Sequence, residues 1–112
     1  MNLLKNNFLR RYFFKYFTYG NWGFPCWSGG EWVDDPKLTN WDIKPADDMD
    51  KLFKQHDYCY QHCVNFTNFA DINLIVGLEN LKISGIYKNI YRISAIIVFL
   101  IKLIAMSVFQ KK

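Results

Sequence analysis

The chain has 112 residues, enough for one domain with a modest core, and half of it is hydrophobic, with 10 Phe, 7 Tyr and 4 Trp. That composition excludes a disordered chain and requires large apolar surfaces to be buried in a core, a lipid interface or a partner. The net charge of +4 is unevenly placed, with only basic residues before Gly20 and after Glu79 and a crowd of acids between Glu31 and Asp57; this suits an anionic surface and a cation site rather than nucleic acid.

Residues 1–19 show helical periodicity. Phe8, Leu9, Tyr12, Phe13, Tyr16 and Phe17 share one arc, and Asn7, Arg10, Arg11 and Lys15 share the opposite one, with Lys5 as the exception. The basic residues interrupt any apolar run, so the segment does not read as a secretory signal. Its aromatic face either packs on the core or lies at a lipid interface with the basic rim on head groups.

In residues 19–30 the glycines at 20, 23, 29 and 30 and Pro25 rule out a regular element and predict a tight loop with exposed carbonyls. Carbonyl oxygens are hard donors suited to calcium, and such a loop needs a carboxylate from elsewhere, for which Asp57 is available.

Residues 45–60 read P-A-D-D-M-D-K-L-F-K-Q-H-D-Y-C-Y. Pro45 suits a first helical turn, and Asp47, Asp48 and Asp50 place carboxylates at the positive helix end, so a helix is expected to start near Asp47. On it His56 and Tyr60 share a face while Asp57 points about 100° away, which separates a proton-handling group from a metal-binding one. The three cysteines cannot all pair within one chain. Cys59 and Cys63 fall on one helix face, either as soft zinc ligands with His56 or His62 or as buried free thiols.

A turn around Asn65, Thr67 and Asn68 is expected to fold a second helix back antiparallel, with Asp71 opening the apolar run of Ile72, Leu74, Ile75, Leu78 and Leu81. Asp71 is then either a favourable first-turn acid or a carboxylate within reach of the first helix. In the last third, residues 93–109 are apolar almost all round, broken by Ser94, Lys102 and Ser107. Three readings stand: a core helix closing the domain, a shallowly inserted helix with Lys102 snorkelling, or a span at the short limit for crossing a membrane.

Taken together, Tyr19, Gly20 and Trp22 in the loop and Pro45, Asp47, Asp50, His56, Asp57, Cys59 and Tyr60 in the helix resemble the secreted phospholipase A2 superfamily, whose loop reads Y-G-x-Y/W-C-G-x-G and whose helix reads P-x-D-x-x-D and then H-D-x-C-Y. The blocks cover about a quarter of the chain. The resemblance implies His56 as the general base acting on water, Tyr60 bonded to a second carboxylate, Asp71, that orients the histidine, and Ca2+ held by Asp57 with the backbone oxygens of Trp22, Phe24 and Cys26. The chain also departs from the pattern. Phe24 and Cys26 stand where the family has glycines, so positive φ angles there would store about 1–3 kcal/mol each. Leu52 and Phe53 replace paired cysteines, and Ala70 stands where a partner of Cys59 is expected. Residues 27–44, with three tryptophans, exceed the family's connection and read as a lid or an interaction surface.

The expectation is therefore an all-α, small phospholipase A2-like domain with an antiparallel pair of central helices, a Gly-rich calcium loop and no hairpin signal for the family's β-wing. Its parts are an amphipathic helix over 1–19, the loop and connection over 20–44, a catalytic helix pair over 45–82 and an apolar helix over 86–110. The implied activity is calcium-dependent hydrolysis of a glycerophospholipid acyl ester, sn-2 by analogy, at a phospholipid membrane surface, with no nucleic-acid partner. A catalytically silent lipid- or protein-binding relative is the alternative. Calcium points to a secreted or membrane-associated location, and the unpaired thiols to a reducing interior.

Overall fold

The computed structural model describes residues 6–62 and 67–110. They are mostly helical, with α1 (Asn7–Tyr12), α2 (Asp48–His62), α3 (Thr67–Asn80), α4 (Ile86–Gln110) and one antiparallel pair, β1 (Trp27–Ser28) and β2 (Glu31–Trp32). The chain divides into two compact units, Met1–Asp57 and Tyr58–Lys112.

In the first unit, Asn6 caps α1 by accepting from the amides of Phe8 and Leu9. The helix expected to reach residue 19 ends at Tyr12, and the chain tightens into a 3-10 turn over Phe14–Phe17. Crowded aromatic side chains hold an α-helix poorly, and the tighter turn lets the rings of both Phe14 and Phe17 reach Phe24, at 5.7 and 6.4 Å. The buried side of α1 is also not the aromatic one. Arg10 is only 5% exposed, paired with Asp34 and lying 5.5 Å over the Trp32 ring, while Phe8, Tyr12, Phe13, Tyr16 and Phe17 are exposed. Core packing of the aromatic face is thereby overturned.

The segment read as an irregular loop contains a hairpin. Gly29 and Gly30 have φ of 66° and 77°, the two-residue turn whose twist matches paired strands, and they set Trp27 opposite Trp32 with the rings 5.1 Å apart. The following connection is tied near its end to α2. Trp41 stacks on Trp22 at 5.2 Å, and Lys54 on α2 donates to the carbonyls of Trp41 and Ile43 at 2.7 and 3.1 Å, pinning it down. Asp47 caps α2, its carbonyl accepting from Lys51 and its carboxylate from the Asp50 amide, so Pro45 precedes the cap instead of occupying the first turn.

In the second unit α3 starts at Thr67, which puts Asp71 in its second turn and not at its opening. Asn65 and Cys63 lie outside the described residues. The buried stripe is Ala70, Asp71, Leu74, Ile75 and Leu78, so Asp71 occupies a core position that the sequence had given to Ile72, which is exposed. α3 and α4 run antiparallel: Arg92 donates to the Leu78 carbonyl at 3.0 Å while Lys102 meets Asp71, contacts that advance along one helix as they retreat along the other. Asn89 ties the link to α4 through the carbonyls of Ile83 and Gly85. α4 has the expected bounds but is no core helix, because none of its apolar window is buried. Residues 45–82, expected to hold two helices, contain α2 and α3, one begun in each unit.

Candidate functional site

Two carboxylates from the start of α2 fix the glycine loop. Asp50 is fully buried and accepts three backbone amides, Trp22 on Oδ1 at 2.9 Å and Asn21 and Ala46 on Oδ2 at 2.9 and 2.8 Å. Asp47 accepts from the Tyr19 hydroxyl. Amides donated to an ionised acceptor make strong bonds, so the P-x-D-x-x-D stretch shapes the loop as well as starting the helix. Gly20 is required there: at φ 53° a Cβ would lie 2.4 Å from the Asp50 Cγ.

The loop spends most of its carbonyls on itself. Tyr19 and Gly23 exchange two backbone bonds, the Gly20 carbonyl accepts from the Trp27 indole, and that of Asn21 accepts from the Gly30 amide. Of the three oxygens expected to face a cation, those of Phe24 and Cys26 already accept from the amides of Trp27 and Val33, leaving one lone pair each. The Trp22 carbonyl accepts no hydrogen bond among the described residues. Phe24 and Cys26 do adopt positive φ, 131° and 63°. The loop therefore takes its glycine-type shape through side chains that resist it.

His56 and Asp57 lie at the end of the first unit, as expected, well inside α2. The Asp57 carboxylate is held by the Ser28 hydroxyl at 3.3 Å and stands 3.8 Å from His56 Nδ1. Burial pushes its pKa above the ordinary value; the His56 bond and charge and the Ser28 bond oppose the shift without cancelling it. A half-buried carboxylate between a hydroxyl and an imidazole fits a hard cation in kind, and Ser28, which sequence reasoning did not select, belongs to its surroundings.

Tyr60 and Asp71 are brought together in the second unit, by Lys102. Its ammonium donates to the Tyr60 hydroxyl at 2.6 Å, lies 3.0 Å from Asp71 Oδ2 and sits over the Tyr60 ring at 4.3 Å. In the reading of a shallowly inserted helix the lysine snorkels; here it serves a fully buried carboxylate. Its charge in the middle of an apolar run was the signal.

Cys26 and Cys59 are half-buried, and His62 bonds the Tyr58 carbonyl through Nδ1 at 2.9 Å and stacks on the Tyr58 ring. Among the described residues no three His, Cys, Asp or Glu side chains cluster as a metal group. Comparison of the chain with protein-family models, with curated proteins and with solved structures finds no match.

Proposed function

We propose that the chain is a calcium-dependent phospholipase A2 that hydrolyses a glycerophospholipid acyl ester, sn-2 by analogy, at a membrane surface. The observation that carries the proposal is the half-buried Asp57 carboxylate 3.8 Å from His56 Nδ1 and bonded by the Ser28 hydroxyl, in a unit whose glycine loop is clamped by Asp47 and Asp50. His56 takes a proton from the attacking water; orienting the imidazole is the role that the resemblance assigns to Asp71 and Tyr60. Asp57 and the carbonyl oxygens of Trp22, Phe24 and Cys26 are the groups that would hold a calcium ion, and the chemistry it would supply there is polarisation of the ester carbonyl.

One observation favours a second reading, a catalytically silent lipid-binding relative: Lys102 neutralises Asp71 and engages Tyr60, which weakens the pull of that carboxylate on a histidine. Calorimetric titration with calcium, followed by fatty-acid release from phosphatidylcholine vesicles by wild type and His56→Ala, separates the two. Calcium binding with release abolished in the variant supports the enzyme. Calcium-independent release, or equal release by both proteins, removes it.

A further inference from the structure

α4 is 25 residues long, about 37 Å at 1.5 Å per residue, and its apolar window has a mean hydropathy of 2.0 with none of it buried. Its inward side faces α3 through Arg92 and Lys102. The outward side carries Ile90, Ile93, Ile97, Ile101 and Ile104, all exposed. Leu100 and Val98 extend this face to roughly 160° of arc at about 100° per residue. Ser94 is its exposed polar member between residues 90 and 108, Ser107 lies just past its edge, and no charge falls on it between those residues.

We infer that this arc is embedded in a phospholipid bilayer, with α4 lying in the plane of one leaflet and α3 on its aqueous side. A second copy of the chain fits less well: a two-helix seam is narrow and flanked by charged positions that select the partner, whereas this arc is wide and uncharged to its edges. A helix crossing the bilayer fits less well too, since α3 is tied along the middle of α4. Crossing would carry the exposed Asn73, which lies between the two ties, into hydrocarbon. In-plane embedding leaves it in water, and it directs the one charge inside the apolar run, Lys102, to Asp71 and away from lipid. The inference does not rest on the proposed hydrolysis.

The test uses vesicles of ether-linked phosphatidylcholine, which cannot be hydrolysed at an acyl ester, in high salt to suppress charge attraction. Wild type is expected to float with the vesicles, and Ile97→Asp with Ile101→Asp to lose at least about 10-fold in partitioning, each aspartate costing several-fold or more on an embedded face. Circular dichroism checks that the variant folds; Ile97→Ser with Ile101→Ser is read the same way if the aspartates unfold it. A membrane-impermeant amine reagent added outside should modify both Lys88 and the terminal Lys111 and Lys112. Unchanged flotation of the variants overturns the inference. So does protection of one end of α4, which means crossing, or a dimer that ignores vesicles and is dissociated by the same substitutions.

Discussion

The Lys102 ammonium lies 3.0 Å from Oδ2 of Asp71, a carboxylate with no exposed surface. An ionised acid in that position is tolerated because a cation faces it, and removing the cation alone leaves a buried charge uncompensated. Lys102→Met is therefore expected to cost about 3 kcal/mol in urea unfolding, and adding Asp71→Asn to recover most of that. A neutral Lys102→Met would mean that the pair contributes little to folding.

Asp50 and Gly20 are a matched pair in the first unit. Asp50→Asn keeps the shape but turns an NH2 group toward the amides donated to one of its oxygens, whichever way the amide is flipped. The expected loss is about 3 kcal/mol, from buried donors left unpaired. Gly20→Ala forces a Cβ against the same carboxylate at positive φ and should cost at least about 2 kcal/mol. If the clamp is what unites the two effects, the double variant will lose less than their sum; full additivity would separate them.

The long regular elements were legible because their signals are local. Asp48 and Asp50 with the Asp47 cap mark the start of α2, and α4 has its expected bounds over residues 86–110. What the pattern missed depends on tertiary partners. Arg10 looked like a solvated residue and is buried because Asp34 and Trp32 receive its charge and its plane. Asp71 reads either as a helix-opening acid or as a carboxylate for the first helix, and takes a core position because Lys102 comes to it from α4. Gly29-Gly30 is a local hairpin signal that was read as mere irregularity. At the site, the residue types His56 and Asp57 were legible; the clamp by Asp50 and the contact with Ser28 were not, since neither has a sequence spacing of its own.

The positive φ angles of Phe24 and Cys26 make opposite predictions for glycine substitution. Cys26, at φ 63°, has a small, half-buried side chain, so Cys26→Gly is expected to stabilise by about 0.5–1 kcal/mol as strain is released. Phe24 packs its ring against Phe14, Phe17 and Trp32. Phe24→Gly should therefore be destabilising by about 2 kcal/mol or more despite the same relief. Thermal melts of the two variants check the contrast, and a loss of stability in Cys26→Gly would show that the thiol contributes more than its backbone costs.

Burial holds the Asp57 carboxyl above its ordinary value of 3.8, the charge of Asp50 adding to the rise and the bonds from His56 and Ser28 opposing it. The folded protein thus keeps this proton to higher pH than the unfolded chain. The resulting stability is fully present below 3.8 and is lost as pH rises through the folded value. At neutral pH the ionised group is a net cost, so Asp57→Asn should melt higher than wild type in calcium-free buffer at pH 7. That advantage should fade on acidification as wild type takes up its proton. Calcium at pH 7 should raise the melting temperature of wild type and not of the variant, by an amount that shrinks at lower pH because proton and cation compete for one carboxylate. If the two proteins respond equally to calcium, Asp57 is not where the ion is held; if Asp57→Asn melts below wild type at pH 7 without calcium, its charge is better compensated than Ser28 and His56 account for.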